Sequence, residues 1–317
     1  IALKRHPRDK FFIATKMSSP RIPDFKQSVE MYRNSLKNLQ VDYIDYYLLH
    51  SIGGGKGIET FKERFIYNGL LDLLLKEREA GRIRNLGWSF HGDVATFDYL
   101  LSMDVKWDFA MIQLNYVDWR HASHNNHAEY LYNELAKRNI PVNIMEPLLG
   151  GRLAKMADHL VARLKQRRPE QSVASWAFRF AGHHPGVLTV LSGMTYKEHL
   201  IDNLKTFSPH EPLTDEELEF LEETAQLYKQ YPIVDCNDCK YCMPCPYGID
   251  IPAILLHYNK CVNEGEIAKS IQDENYKKAR RAYLVSYDRA VPKLRQAARC
   301  IGCNQCTGHC PQRIDIP

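Results

Sequence analysis

Nine cysteines dominate the chemistry open to this chain, and none of them precedes residue 236. They stand at Cys236, Cys239, Cys242 and Cys245, at Cys300, Cys303, Cys306 and Cys310, and singly at Cys261. Two tight runs result, CNDCKYCMPCP over 236–246 and CIGCNQCTGHCP over 300–311. Each leads into a related tail, CPYGIDIP at 245–252 and CPQRIDIP at 310–317. Evenly scattered thiols would suggest core packing or disulfides. Thiols crowded at two-residue gaps point to metal. Structural zinc is one answer, since two CxxC pairs could make a tetrahedral site. Zinc leaves unexplained the third and fourth cysteines in tandem, the Cys–Pro ending and the repeat. Cys261 lies outside both runs and reads as a buried small apolar residue.

The second run, Cys300-x2-Cys303-x2-Cys306-x3-Cys310-Pro311, matches the bacterial ferredoxin pattern, in which three closely spaced thiolates hold one 4Fe–4S cube and the fourth serves the other. Two intervening residues let the backbone wrap a cube corner, and the proline turns the chain toward the neighbouring cluster. The first run is one residue short in its last gap, a departure that falls at Pro244. On this pattern one cluster takes Cys236, Cys239, Cys242 and Cys310, and the other takes Cys300, Cys303, Cys306 and Cys245. Each run then completes the other's site. The insert between them reads as helices, IPAILLHYNKCV and YKKARRAYLVSYDRAVPKLRQAAR, so residues 232–317 are expected to form a small α-helical two-cluster ferredoxin-like domain. Residues 277–299 carry eight Lys or Arg against one Asp. A solvated helix face is the plain reading, and a docking surface for an acidic electron-transfer protein the sharper one.

Upstream, short apolar and β-branched runs recur: FFIAT (11–15), YIDYYLL (43–49), IRNLGWS (83–89), FAMIQL (109–114), VNIME (142–146) and VLTVLS (187–192). Stretches of helical period separate most of them, among them SVEMYRNSLKNL (28–39), FIYNGLLDLLLKEREAG (65–81) and EYLYNELAKRNI (129–140). Six consecutive βα repeats predict a parallel α/β fold, and the lack of G-x-G-x-x-G after any strand favours a (βα)8 TIM barrel over a doubly wound sheet. Six units do not close eight strands, so two are expected to precede Ile1 and the sequence reads as a fragment. The barrel is assigned to 1–231, ending in the helix LTDEELEFLEETAQLYKQY, and Pro232 opens the second domain.

Lys16 and His50 end the runs FFIATK and YIDYYLLH, on the face where barrel enzymes build their sites. IATK, DYIDYYLLH, GRIRNLGWS, QLNY, EPLLGG and VLSGM followed by HLIDNL resemble, in this order, the aldo/keto reductases. With the cysteine tail, the whole of 1–317 resembles the bacterial members that carry a C-terminal 4Fe–4S domain. The resemblance implies a barrel that binds a nicotinamide cofactor, NAD(P)H, and a catalytic tetrad of Asp, Tyr, Lys and His. Lys16 and His50 match the last two. Lys16 would lower the pKa of the acid Tyr, and His50 would orient a substrate carbonyl. On the family's pattern the Asp and Tyr lie upstream of Ile1, outside this chain. Ser89 and Gln113 match residues that hold the nicotinamide carboxamide, and Gly193, Met194, Asp202 and Asn203 match the surroundings of the adenosine half. Phe90, Met145 and His199 depart from the family, standing where an Asn, a ring-stacking aromatic and a phosphate-gripping Arg are usual. NAD and NADP therefore both stay open.

Composition sets the outer bounds. A chain of 317 residues, 44% hydrophobic and 25% charged, can bury one large core and a satellite. A net charge of +4 does not argue for nucleic acid, and no apolar run reaches the ~18 residues of a membrane span. A soluble cytoplasmic protein with a small-molecule substrate is expected. SIGGGKGIETF lacks the spacing of a phosphate loop, and His121, His124 and His127 read as solvated or substrate-facing rather than as metal ligands. The expected function is an iron–sulfur oxidoreductase that couples a nicotinamide/carbonyl-type barrel site to two 4Fe–4S clusters. The alternative is a non-enzymatic electron carrier or redox sensor on a degenerate barrel scaffold.

Overall fold

Each of the six apolar runs forms a strand: β1 (Ala14–Met17), β2 (Ile44–Ile52), β3 (Ile83–Phe90), β4 (Phe109–Gln113), β5 (Val142–Met145) and β6 (Val187–Val190). The computed structural model describes residues 3–18, 24–122, 127–268 and 270–317. The strands form one sheet in the order β1 to β6, and the registers of the first five are parallel, with Lys16 beside Leu48, Ser89 beside Met111 and Gln113 beside Met145. β4 and β5 are buried at every residue, the mark of a parallel sheet covered on both faces. A doubly wound sheet reverses its strand order at a switch point, whereas here each strand lies beside its sequence neighbour. That is the arrangement of a βα barrel.

The helices are α1 (Phe25–Leu39), α2 (Ile58–Phe61), α3 (Leu70–Glu79), α4 (Val94–Ser102), α5 (Asp118–His121) and α6 (Ala128–Lys137). They continue with α7 (Asp158–Arg167), α8 (Val173–His183), α9 (Lys197–Phe207), α10 (Asp215–Lys229), α11 (Ile251–Asn263) and α12 (Tyr276–Ala290). Side-chain caps start several of them: Asp24, Asp93 and Ser172 each accept an N–H three residues on, and Thr214 and Glu217 form a reciprocal capping box. The helical pattern over 65–81 is interrupted. A π turn at Lys62–Ile66 is followed by Gly69 in the left-handed region, and α3 starts afresh at Leu70.

Contacts divide the chain into two units. The first comprises Ile1–Gln113, Ala128–Met145 and Gly186–Thr189, and holds β1 to β5 and most of β6. Its sheet interior includes Leu48, Phe109, Met111 and Met145. Trp88 of β3 meets Phe90, Phe97 and Trp107 edge to face at centroid separations of 5.7–6.5 Å, contacts worth about 1 kcal/mol each beyond their burial. The second unit comprises Leu114–His127, Glu146–Pro185 and Val190–Pro317, with α7 to α12 and both cysteine runs. The buried Arg179 anchors its core, bonded to the Glu217 carboxylate and to the carbonyls of Glu211 and Pro212. Among the described residues no helix is long and apolar enough to cross a membrane.

Candidate functional site

In the first unit, Lys16, His50, Ser89 and Gln113 fall at or within two residues of the C-terminal ends of β1, β2, β3 and β4. Lys16 and His50 lie on neighbouring strands, and His50 feels the positive charge of Lys16. Burial pushes the His50 imidazole down to about 4, helped by the positive charges of Lys16 and Arg64, so it is neutral near pH 7. Burial likewise lowers the Lys16 ammonium. The Ser18 hydroxyl lies 2.8 Å from His50 Nδ1. A neutral imidazole beside a half-desolvated cation is suited to hold a carbonyl oxygen that gains negative charge.

Two further bases join this pair without having been expected there. His91, just past β3, is pushed down to about 4 by burial, by His50 and by Lys16. Its backbone N–H donates to Ile52 O at 2.8 Å, while its Nδ1 is buried with no hydrogen-bond partner among the described residues. Arg64 donates from Nη1 to Ser51 O at 3.3 Å. The loops after β2 and β3 meet through glycines: a Cβ on Gly53 would strike the backbone of Gly92. A period-two signal for His91 was present in the sequence, since residues 89 and 91 share a face of an extended strand. Nothing in the sequence pointed to Arg64.

The expected cofactor residues divide between the units. Ser89 is buried, and its Oγ already accepts the Ser51 N–H at 2.9 Å. Gln113 is buried at the end of β4. Phe90 and Met145 are packed into apolar cores. In the second unit, Gly193 and Met194 lie in an exposed segment between β6 and α9. Asp202 accepts from Ser172 Oγ at 2.6 Å, and Asn203 donates to Ser192 Oγ at 2.9 Å. His199 accepts the Thr195 N–H through Nδ1 at 3.3 Å. His121 is bonded to Glu222 at 2.7 Å, while His124 lies outside the described residues.

Eight of the nine cysteines of the second unit fall into two groups, and Cys261 stands apart. A cavity of about 140 Å³ is lined by Cys245 from the first run and by Cys300, Cys303 and Cys306 from the second. Ile249, Ile251 and Ile316, from the two IDIP tails, make part of its apolar wall. Gly302, at φ +68°, turns its N–H onto Cys300 Sγ at 3.4 Å, and Asn304 is also left-handed at φ +57°. Four thiols from two distant runs around one apolar hollow fit a group larger than an ion. Among the described residues, no three His, Cys, Asp or Glu side chains converge as a single metal ion requires. In the other group, Cys236, Cys239 and Cys242 each feel the charge of Cys310. Burial, then Cys239 and Cys236, push the Cys242 thiol up to about 12. A bound cation would reverse that balance, because crowded thiolates are stable only beside positive charge.

The first run is fastened at both sides. Asn259 on α11 makes a reciprocal pair with the Val234 backbone, both bonds at 2.7 Å. Arg152 Nη1 donates to Asp235 Oδ1 at 2.9 Å. The Glu146 carboxylate accepts from Asn237 and from the Gly150 N–H, while burial raises its pKa. The tail after the first run is tied to the segment before the second where the Asp250 N–H donates to Arg295 O at 3.0 Å.

Residues 1–226 match the aldo/keto reductase family. The chain belongs to that family. Residues 235–314 match the 4Fe-4S dicluster domain. An aldo-keto reductase of Mycolicibacterium vanbaalenii is 27% identical over 209 residues, covering 65% of this chain and 66% of the relative. One from Mycobacterium avium is 26% identical over 211 residues, covering 65% of each. The chain thus spans just under two thirds of these curated relatives. Among solved structures, an aldo-keto reductase from a deep-sea metagenome library superposes with a TM-score of 0.55 at 20% identity, over 70% of this chain and 75% of that one. An aldo/keto reductase from Klebsiella pneumoniae, solved with NADP and acetate, gives 0.54 at 24% identity, over 72% and 73%. These likenesses establish the fold: a parallel α/β sheet of the aldo/keto reductase barrel type, followed by a helical region with a ferredoxin-type domain.

Proposed function

We propose that the protein is an iron–sulfur oxidoreductase in which a carbonyl-type site on the aldo/keto reductase barrel is coupled to two 4Fe–4S clusters. The observation that supports this most is the hollow that Cys245 of the first run lines together with Cys300, Cys303 and Cys306 of the second. Cys300, Cys303, Cys306 and Cys245 would hold one cluster, and Cys236, Cys239, Cys242 and Cys310 the other. Such clusters, when bound, supply one-electron chemistry. The protein's own part is to present deprotonated thiolates, exclude water with the IDIP isoleucines and aim the Gly302 N–H at sulfur.

On the barrel, Lys16 and His50 would hold the oxygen of a small carbonyl substrate, with the neutral imidazole donating a hydrogen bond and the ammonium a positive charge. Ser89 and Gln113 would receive the carboxamide of NAD(P)H, and Gly193, Met194, Asp202 and Asn203 the adenosine end. The barrel would occupy 1–231 and the cluster domain 232–317.

The reading is tested on protein isolated without oxygen. About eight iron and eight acid-labile sulfide per chain are expected, together with quenching of NADPH fluorescence on titration. Iron-free, colourless protein would sink it. A second reading, an electron carrier on a barrel scaffold, is favoured by the engagement of Ser89 with Ser51 and by the packing of Met145 into the core. Full iron content without any NADPH binding would select that reading.

A further inference from the structure

The two cysteine groups differ in exposure at one position: Cys236 is buried and Cys239 exposed in one, whereas Cys300 and Cys303 are both exposed in the other. From Pro292 to Gln305 every residue except Gln296 is exposed. Ile301, which lines the cavity, is 64% exposed, and Leu294 is 72% exposed. Leu294 is tied to this edge by its carbonyl, which accepts from Arg299 Nη1 at 3.3 Å. Around these apolar side chains stand Lys293, Arg295 and Arg299, and the sequence holds no Asp or Glu between 289 and 314. Arg295 is partly neutralised by Asp250 at 3.6 Å. Among the described residues no carboxylate pairs with Lys293 or Arg299.

A small apolar centre in a cationic rim is the build of a weak, fast electron-transfer interface. The more obvious basic surface is the groove between α11 and α12, lined by Lys260, Lys277, Lys278, Arg281 and Arg289. That groove includes Glu264 and Glu266, with Lys260 paired to Glu264 at 3.7 Å, and cysteines do not line it. Net charge does not separate the two surfaces, but reach to the thiols favours the other edge. We propose that the exposed 293–303 edge, rather than α12, docks an acidic one-electron carrier protein that exchanges electrons with the group held by Cys245, Cys300, Cys303 and Cys306. This rests on the two-cluster reading above. The carrier loses one electron and the held group gains it, or the reverse, and no bond or proton moves.

The test uses the full chain with its clusters and a plant-type 2Fe–2S ferredoxin of acidic surface as the probe. Reduction by the reduced probe is followed by stopped flow, and binding of the oxidised probe by titration calorimetry, both against ionic strength. K293E/R299E is expected to cut the second-order rate about tenfold, weaken binding in parallel and flatten the salt dependence. K277E/K278E/R281E on α12 is expected to stay within about twofold of wild type. Ile301→Ser should slow transfer without changing the salt dependence. If the double variant loses iron, Arg299→Gln and the wild-type salt dependence carry the test. Greater loss in the α12 variant, equal rates in all variants, or a wild type that neither binds the probe nor accepts its electron would overturn the docking assignment. Iron-free wild type would instead overturn the two-cluster reading.

Discussion

Gly150→Ala should disturb the first cysteine run from outside it. Gly150 sits at φ +66°, and a Cβ built there would lie 2.5 Å from Asn237 Cα and 2.7 Å from Asn237 O. These are backbone atoms with no rotamer to yield, so a retreat of about 0.9 Å is needed to reach ordinary contact at 3.4 Å. Left-handed backbone costs a non-glycine residue about 1 kcal/mol, and overpacking of this size about 1–3 kcal/mol more. Gly151→Ala provides the control. Its φ is +91°, but a Cβ there would have no neighbour within 4 Å, so it carries only the backbone strain. Anaerobic chemical unfolding should therefore place Gly150→Ala about 1–3 kcal/mol below Gly151→Ala. Because Asn237 follows Cys236 directly, the Gly150 variant should also alter the electron paramagnetic resonance of one cluster and spare the other. Equal stability and unchanged spectra in both variants would refute the packing of the 146–151 loop on the first run.

Acidification should expose the basic cluster of the barrel. His50 and His91 stay neutral down to about pH 4 in the folded state, while both protonate near 6.5 when unfolded. The unfolded chain thus binds more protons in that window, and stability should fall as pH drops from about 6.5 toward 4. Unfolding midpoints at pH 7 and pH 5 should lie closer together in His91→Gln than in wild type, and parallel profiles would count against the burial of His91. Lys16→Met removes one of the positive neighbours of His50, so the imidazole should titrate at higher pH when followed by nuclear magnetic resonance. No change would separate the two side chains. Arg152→Ala leaves Asp235 without its guanidinium and should lower stability by about 2 kcal/mol in anaerobic denaturation; a loss under 0.5 kcal/mol would mean that the pair is solvent-screened.

Among the described residues each strand falls on an apolar run, most plainly β4 and β5, because parallel strands buried on both faces must be short, continuous and apolar. FAMIQL became Phe109–Gln113 and VNIME became Val142–Met145. The edge strand was less legible: Phe12, the second residue of FFIAT, is exposed, and pairing starts only at Ala14. The helix pattern over 65–81 hid the break at Gly69, since apolar spacing carries through a π turn. Cys261 is fully buried as expected, but with His257 Nε2 3.5 Å from its sulfur and Ser286 nearby. The two cysteine runs stood out because each sets four thiols within ten or eleven residues. Arg64, Ser51 and the contact of Gly150 with Asn237 did not, because each depends on two loops meeting in space.

The exchange of the fourth cysteine is the claim on which the rest stands. It is tested by comparing Cys245→Ser and Cys310→Ser with Cys306→Ser and Cys242→Ser in the spectra of dithionite-reduced, anaerobic protein. Crossed ligation predicts that Cys245→Ser alters the same signal as Cys306→Ser, and Cys310→Ser the same signal as Cys242→Ser. If Cys245→Ser instead matches Cys242→Ser, each run holds its own cluster and the crossed arrangement is wrong.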